Sequence, residues 1–438
     1  MRMDNIRRAG IQDMLAARDA RAARQQALIA RHRAPLISFT MNIAGDVKCD
    51  PLILRAFYEG AARVRRELAR MGAAVLEEEE SVSFTGCEMR WAVSADAGAL
   101  KDRMCLIEEI DALGRLFDLD VIDAAGSHLS RSAERRCLIC GAPVRACARS
   151  RAHSTQELYQ RAHEIIKAHF QEEFIRSTGE MAQRALLYEA ITTPRPGLVD
   201  CEDSGAHSDM DLFSFMDSAC ALRPYFESCV RMGAEGADET HLQFAGMLAE
   251  DRMLAAAHAN THKGAIFSLG ILCHAAGSCG EGASLDAILK KAAQTGSVYL
   301  RQMQQTRPDK TGGEQQYLRY GLTGARGEAA SGFASAVDIG LPALRKALSQ
   351  GRTFNDAAAS ALLHLMARVQ DSNVLRRSGM EGQHLMMQEA CCALESGVAD
   401  LRAMNNLFKE KNISPGGCAD LLAVTCFLYF WSSRSGEA

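Results

Sequence analysis

The stretch Leu116-Phe117-Asp118-Leu119-Asp120-Val121-Ile122 alternates apolar and acidic side chains, which is the pattern of a half-buried β-strand. Side chains two apart on a strand point to the same face, so Asp118 and Asp120 place two carboxylates side by side. Oxygen ligands of this kind suit magnesium, which neutralises charge as a phosphoryl or nucleotidyl group moves. Surface strands also carry two acids without binding metal, so the pair indicates a magnesium site only together with its neighbours.

Helix-like and strand-like stretches alternate before this strand. The four acids from Glu77 to Glu80 are predicted to form a solvated turn. The order of elements predicts an α/β domain in which helices pack on a mixed sheet. We predict helices over 4–31, 51–71 and 100–113, and strands over 34–41, 81–85 and 91–93.

The chain changes character in its second half. Polar, helix-forming residues run from Thr155 to Met181 without clustered Pro or Gly, which predicts a helical connection. Beyond it, Ala, Leu and Met recur at helical spacing with little period-2 alternation, which predicts an all-α multi-helix domain. We place the boundary near Phe170, with one domain over 1–170 and the other over 171–438.

The composition excludes several classes of protein. Of the 438 residues, 47% are hydrophobic and 24% are charged, as in globular proteins. A net charge of -4 provides no general attraction to nucleic acid or anionic lipid, and there is no apolar run of about 18 residues that predicts a membrane span. The start of the chain is basic and lacks the apolar stretch of a signal peptide, so we expect a cytoplasmic location. The 15 Cys are scattered, which favours reduced thiols or a metal site over a disulfide framework.

Basic and metal-binding residue types surround the acidic strand. Arginines that could clamp phosphate are Arg115, just before the pair, and Arg131, Arg135, Arg136, Arg145, Arg149 and Arg151 after it. The alternative for several of them is a solvated helix. The spacing C-x2-C-x6-C-x5-H is formed by Cys137, Cys140, Cys147 and His153. These four could bind zinc and fix the arginine-bearing loop, but the later spacing is not that of a standard zinc finger, and free thiols are the simpler interpretation.

Residues 10–165 resemble a family of enzymes, the holo-acyl-carrier-protein synthase of citrate lyase. The resemblance is carried by Arg18-Asp19-Ala20-Arg21, Ser38 to Gly45 with Lys48, Gly114 to Val121, Arg136 to Cys140, and Cys147 to Ser154. It implies a nucleotidyltransferase-like fold and transfer of a phosphoribosyl-dephospho-coenzyme A group to a serine of the apo acyl carrier subunit, with release of pyrophosphate. In this family Asp118 and Asp120 would hold magnesium. The residues that would neutralise the triphosphate are Lys48, Arg115, Arg136, Arg149 and Arg151.

An acid-rich segment opens the second half. The prolines on either side of Arg195 force an exposed turn, and the residues after it are Asp200, Asp203, His207, Asp209 and Asp211. These side chains could supply metal ligands or a general base. The alternative is an acidic helix N-terminus with Asp209 as its cap.

Further polar segments fall at predicted helix ends. They are 260–268 with His262 and Lys263, 311–333 with Arg326 and Glu328, 371–379 with Asp371, and 412–420. The glycine-rich segment 311–333 lacks the Gly-Lys-Ser/Thr ending of a Walker loop and follows no strand, so it matches neither common nucleotide motif. A polar cluster at successive helix ends is what an all-α active site requires.

In this order the segments resemble triphosphoribosyl-dephospho-coenzyme A synthase over residues 175–435. The resemblance implies that the 2′-hydroxyl of dephospho-coenzyme A attacks the anomeric carbon of ATP, that adenine departs and that the triphosphate is kept. It implies that Asp209 and Asp211 bind metal or position the hydroxyl together with His207 and with Glu189 or Asp371, and that Glu328 is the base. The residues that would bind the nucleotide phosphates are Arg195, which replaces the family's usual lysine, His262, Lys263 and Arg326.

We therefore expect a bifunctional enzyme that matures citrate lyase. Its substrates and partners would be ATP, 3′-dephospho-coenzyme A, magnesium and the apo acyl carrier subunit of citrate lyase, with no nucleic acid and no membrane. The alternatives are the same chemistry for malonate decarboxylase, a non-catalytic carrier-binding chaperone, and an RNA-binding module built on the arginines of 131–151. That stretch lacks interleaved aromatic residues, which argues against RNA.

Overall fold

The chain forms two compact units, Met1–Glu172 and Glu173–Ala438. The structure is a computed structural model that describes residues 7–131, 134–305, 312–396 and 401–435. Helix α5 (Thr155–Ile191) crosses the division between the units, which confirms the predicted helical connection. Residues 4–6 of the predicted first helix and Thr311 of the glycine-rich segment lie outside the described residues.

The first unit combines helices with a four-stranded sheet. Its helices before α5 are α1 (Ile11–His32), α2 (Pro51–Arg70), α3 (Ala97–Glu109) and α4 (Val144–Ser150). Its strands are β1 (Leu36–Met41), β2 (Ala74–Ser83), β3 (Gly86–Ser94) and β4 (Phe117–Ile122). The predicted strands over 81–85 and 91–93 are therefore parts of one longer hairpin, but they do not face each other, because Ser81 pairs with Glu88 and Trp91 pairs with Glu78.

The strand order is β2-β3-β1-β4, and all three pairings are antiparallel, so the prediction of a mixed sheet is wrong. The helical crossover through α3 does make β3 and β4 parallel to each other, as a β-α-β unit should. These two strands are not neighbours, however, because β1 is inserted between them and runs opposite to both. An alternation of helices and strands in the sequence does not reveal such an insertion.

One face of the sheet forms the core of the first unit. Phe39, Trp91 and Phe117 are fully buried there, and the ring of Phe39 stacks on Phe57 of α2 at 5.0 Å. Each such side chain contributes about 1.5–3 kcal/mol by leaving water. Helix α1 covers the opposite face, where Leu28 packs on an apolar patch at one end of the strands. The remaining part of that face is polar and carries the acidic pair.

The acidic run from Glu77 to Glu80 lies within strand β2, so the prediction of a solvated turn is wrong. Glu77 pairs with Arg31 at 2.7 Å, and Glu78 accepts a hydrogen bond from Trp91 Nε1 at 2.7 Å. Because Glu77 and Glu78 each have a partner, on opposite faces of the sheet, two neighbouring acids can be accommodated on this edge strand. The run was predicted to be a turn because its partners Arg31 and Trp91 are remote in sequence, and a local pattern does not reveal them.

All elements described in the second unit are helical, which confirms the all-α prediction there. After α5 they are α6 (Leu212–Glu235), α7 (Glu239–Ala257), α8 (Lys263–Cys279), α9 (Leu285–Gln304), α10 (Gly312–Tyr320), α11 (Gly324–Ala330), a π-helical turn (Ala336–Gly340), α12 (Leu341–Ser349), α13 (Phe354–Met366), α14 (Ser372–Ser396), α15 (Leu401–Glu410) and α16 (Gly416–Ser435). Helix α8 lies at the centre of this bundle, since it is buried along most of its length. Among the described residues, no helix is long and apolar enough to cross a membrane.

Candidate functional sites

A cavity of about 840 Å³ lies in the second unit. Its wall is built from the ends of helices that are far apart in sequence, including the first residues of α8, α14 and α16. The polar wall residues include Glu189, Arg195, His207, His262, Lys263, Glu328, Arg368, Asp371, Arg376, Arg377, Ser414 and Asp420. Helix N-termini favour anions, and a cavity of this size suits a nucleotide.

Asp371 connects the N-termini of two helices at this wall. Its Oδ1 accepts the backbone N–H of Asn373 at 2.8 Å in α14, and its Oδ2 accepts that of Cys418 at 2.8 Å in α16. The carboxyl is almost fully buried, and this burial raises its pKa although the three backbone donors oppose the change. Asp371 therefore organises the cavity wall.

Asp420 faces the first turn of α8. A Cβ atom added to Gly264 would lie 1.9 Å from its Oδ2, so only glycine permits this close approach. Burial, then the negative charges of Glu189 and Asp371, raise the pKa of Asp420 well above its ordinary value. A carboxylate with a raised pKa is a stronger base than an ordinary Asp, which suits a role as general base. Asp420 was not among the predicted site residues, and the only sequence signal for it was its place at a helix end.

Glu189 and Arg195 form a buried ion pair. The guanidinium of Arg195 also donates to the carbonyl oxygens of Ala190, at 2.9 Å, and of Val199. Burial raises the pKa of Glu189, and the charge of Arg195 opposes that rise. Arg195 lines the cavity, but its guanidinium N–H groups already bind the turn of the chain that follows α5. Its predicted contact with phosphate would therefore have to compete with these hydrogen bonds.

Glu328 lies on α11 with its carboxylate in a defined position. Its Oε1 accepts a hydrogen bond from Ser335 Oγ at 2.6 Å, and its Oε2 accepts from the Ser335 backbone at 3.2 Å. The side chain is at the cavity wall, where a base would be needed. Arg326, two residues earlier on the same helix, is not among the residues that line the described cavity.

The predicted group of His207, Asp209 and Asp211 is only partly assembled at the cavity. His207 lines it, with Nε2 2.7 Å from Ser414 Oγ, and its pKa is lowered by burial and by the charge of Arg377. Asp209 is exposed, 3.8 Å from His207 Nδ1. Asp211 caps α6 by accepting the backbone N–H of Ser214 at 2.9 Å. The residue that caps this helix is therefore Asp211, and the alternative that assigned the cap to Asp209 is wrong.

His262 and Lys263 lie at the start of α8 and have different environments. His262 is buried, with Nδ1 2.7 Å from Ser218 Oγ, and burial lowers its pKa to about 3, so the ring is neutral. Its Nε2 is buried and has no hydrogen-bond partner among the described residues. Lys263 is exposed and pairs with Glu250 at 2.6 Å.

Three arginines that were not among the predicted site residues line the cavity, and they add positive charge beside Lys263. They are Arg368, Arg376 and Arg377. Arg377 donates to Asn412 Oδ1 at 2.6 Å, and its pKa is lowered by burial and by Arg376. Neighbouring cations repel each other, and a bound polyanion would relieve that repulsion.

In the first unit, the structure confirms that Asp118 and Asp120 share one face of an edge strand. Thr40 and Ser38 of β1 stand opposite them. Burial first, and the charge of Asp120 second, raise the pKa of Asp118, while Arg135, 3.1 Å away, opposes this rise. A divalent cation between the two carboxylates would relieve their repulsion.

The predicted phosphate-binding cations of this unit are not all presented to the acidic pair. Arg115 donates to the backbone carbonyl of Arg136 at 2.8 Å, and Arg136 donates to that of Gly141 at 3.2 Å. Lys48 donates to the Ile43 carbonyl at 2.5 Å, and burial lowers its pKa. Arg149 and Arg151 are exposed around the end of α4.

Two family models match the chain, one after the other. Residues 9–169 match the family described as apo-citrate lyase phosphoribosyl-dephospho-CoA transferase, and residues 175–437 match ATP:dephospho-CoA triphosphoribosyl transferase. Both families are transferases, so the two units define a two-part transferase. The matches do not favour the malonate decarboxylase, chaperone or RNA-binding alternatives.

Curated relatives have the same arrangement. Protein CitXG of Haemophilus influenzae is 32% identical over 95% of this chain and 95% of its own length. Protein CitXG of Leuconostoc mesenteroides subsp. cremoris is 30% identical over 96% of this chain and 97% of its own length. The 2-(5''-triphosphoribosyl)-3'-dephosphocoenzyme-A synthase of Pectobacterium atrosepticum is 39% identical and covers 57% of this chain and 87% of its own length. The chain belongs to the CitXG family.

Proposed function

We propose that this chain makes the prosthetic group of citrate lyase and attaches it to the carrier. The second unit joins ATP and 3′-dephospho-coenzyme A into 2′-(5″-triphosphoribosyl)-3′-dephospho-coenzyme A and releases adenine. The first unit transfers the phosphoribosyl-dephospho-coenzyme A group to a serine of the apo acyl carrier subunit and releases pyrophosphate. The observation that carries this proposal is the presence of both transferase families in this order on one chain.

The first reaction is a glycosyl transfer, so it requires a base for the attacking hydroxyl and help for the departing adenine. We assign the base to Asp420, because its raised pKa suits proton uptake and it lies at the helix-end wall of the cavity. Glu328, the base that the family resemblance implied, is held by Ser335 and is the competing candidate. The neutral ring of His262 has a buried nitrogen without a partner and is the candidate donor to the leaving adenine.

The triphosphate is bound by the positive side of the same cavity. Lys263, Arg376 and Arg377 line it beside the N-termini of α8 and α14, where backbone N–H groups also attract anions. Of the predicted metal pair, Asp211 is engaged as a helix cap, which leaves Asp209 as the carboxylate able to contribute there.

In the first unit, Asp118 and Asp120 are the residues that would hold magnesium, since they present carboxylate oxygens on one face of β4. When bound, the ion neutralises charge on the triphosphate as pyrophosphate leaves. Arg135 lies beside the pair and can hold a phosphate oxygen. The substrates are nucleotides of the cell interior, so we place both reactions in the cytoplasm.

Release of adenine tests the synthase assignment. The purified chain is incubated with ATP and magnesium, with and without 3′-dephospho-coenzyme A, and both adenine and the nucleotide product are analysed by mass. We expect adenine only when both substrates are present, and a product enlarged by one triphosphoribosyl unit. Adenine release that does not depend on dephospho-coenzyme A would contradict the proposal.

A further inference from the structure

The segment after the acidic pair brings four possible metal ligands together. One ligand atom from each of Cys137, Cys140, Cys147 and His153 lies within 4.8 Å of the other three. Donor atoms around one tetrahedral zinc ion are roughly 3.3–3.8 Å apart, given metal–ligand distances of about 2.0–2.3 Å. The sulfur atoms of Cys140 and Cys147 are 3.3 Å apart, which is too far for a disulfide bond of about 2.05 Å. Within the described ranges, this is the one group of three or more His, Cys, Asp or Glu whose ligand atoms come together this closely, within 4.8 Å of one another.

The backbone around Cys137 and Cys140 forms a tight turn that suits negatively charged thiolate ligands. The Cys137 N–H donates to the Ala142 carbonyl at 2.7 Å, and the Gly141 N–H donates to the Cys137 carbonyl at 3.2 Å, which closes a tight turn. Gly141 has a φ of 73°, a conformation that residues with a side chain rarely adopt. The Ile139 N–H points at Cys137 Sγ from 3.5 Å, and such donors stabilise a negatively charged sulfur.

The environment of His153 provides a second, independent observation. Its Nε2 is buried and has no hydrogen-bond partner among the described residues. A buried polar atom without a partner costs about 1–3 kcal/mol, so this atom needs a ligand. Neutral imidazole nitrogen is a common zinc ligand.

The same segment is attached to the acidic strand. Arg115 donates to the Cys137 carbonyl at 3.2 Å, and Leu138 packs on the core of the first unit. Arg135, two residues before the first cysteine, contacts Asp118 at 3.1 Å and donates to the Phe117 carbonyl at 2.9 Å. Fixing the cysteine turn therefore also fixes the position of Arg135 beside Asp118.

We propose that Cys137, Cys140, Cys147 and His153 bind one structural zinc ion, which holds Arg135 beside Asp118. Arg135 is thus positioned by the metal site and is ready for a phosphate group, while the zinc itself contacts no substrate. The zinc site stands on its own geometry, whereas the role of Arg135 rests on the proposed function of the first unit.

Metal content of the full chain tests the site directly. The chain is produced in zinc-supplemented cells, purified under reducing conditions and dialysed against a weak chelator before its metals are measured. We expect about one zinc ion per chain, and we expect cobalt to replace it with the visible absorption of tetrahedral cobalt thiolate. A reduced, folded chain that holds less than about one tenth of a zinc ion would overturn the proposal.

Matched variants separate ligation from general damage. H153C should retain about one zinc ion, because four cysteines also make a structural site, whereas H153A and C140S should lose it or bind it at least tenfold more weakly. C220S, which removes an exposed cysteine of α6, is the control and should retain the metal. Equal zinc content in H153A, C140S and the unchanged chain would show that these residues are not the ligands.

Carrier loading tests separately whether the zinc site positions Arg135. C147S should reduce carrier loading at least tenfold and leave adenine release unchanged, since the second unit does not contain the site. Loss of zinc without any change in carrier loading would overturn the positioning role. If carrier loading is absent even in the zinc-loaded unchanged chain, the proposed function of the first unit fails, and the measured zinc content still decides the site.

Discussion

At the scale of single residues, the account depends most on Asp420. Its raised pKa predicts that adenine release increases with pH through a value above that of an ordinary Asp, because the charged form is the base. D420N should lower the rate of adenine release by about 10²–10⁴-fold and abolish this pH dependence. The measurement is the initial rate of adenine release between pH 5 and 9.

The same substitution should stabilise the protein. The folded-state pKa of Asp420 is above its unfolded value, so its contribution to unfolding free energy falls as pH rises between the two values. D420N removes this loss, and Tm at pH 8 should rise by about 2–4 °C. E328Q is the comparison: a larger loss of activity in E328Q, with the pH dependence preserved in D420N, would make Glu328 the base.

Gly264 is predicted to be essential because of its contact with Asp420. A Cβ atom there would lie 1.9 Å from the Asp420 carboxylate, so G264A should destabilise the protein by about 1–3 kcal/mol and reduce adenine release. In the control G246A on α7, the nearest atom would be 3.6 Å away, and alanine should stabilise that helix by about 0.5–1 kcal/mol. Urea unfolding measures both, and equal effects of the two substitutions would contradict the close approach.

At the scale of elements, the turn after α5 is held by a buried ion pair. R195M leaves Glu189 buried without its partner and should lower the unfolding free energy by about 3–5 kcal/mol. The double variant E189L/R195M should recover part of this loss, since no charge is then buried alone. Urea unfolding of the single and double variants makes the test.

The matched control for Arg195 is the exposed pair of Arg402 with Glu202. R402M should change the unfolding free energy by less than about 1 kcal/mol, because surface ion pairs contribute little. A double variant E189L/R195M as unstable as R195M would show that the pair matters through packing and not through charge.

Local patterns predicted elements better than their arrangement. The alternation around Asp118 and Asp120 correctly predicts a strand with both acids on one face, since that property depends on neighbours in sequence. The insertion of β1 between β3 and β4 is non-local and was missed. The run Glu77–Glu80 was misassigned for the same reason, because its partners lie on other elements.

The candidate site shows the same limit. Its segments were found at predicted helix ends, and His207, Lys263 and Glu328 do line the cavity. The raised pKa that distinguishes Asp420 depends on burial and on the nearby charges of Glu189 and Asp371, and only the packed helices bring these groups together. The sequence does not show that the Asp211 carboxylate also caps its own helix, and its predicted role as a metal ligand stays a prediction.

At the scale of the whole molecule, the two units divide the work between them. The product of the second unit is the substrate of the first, and one chain raises the local concentration of each for the other. Each unit has its own core and its own cluster of acids. Damage to one active site should therefore leave the other working.

The most direct test is the mass of the apo acyl carrier subunit after incubation with ATP, 3′-dephospho-coenzyme A and magnesium. We expect the unchanged chain to add one phosphoribosyl-dephospho-coenzyme A group, and D118N and D420N each to add none. D420N should still load the carrier when the triphosphoribosyl precursor is supplied, and a mixture of both variants should restore loading from ATP. Full loading by either variant alone from ATP, or failure of the unchanged chain to load the carrier, would contradict the account.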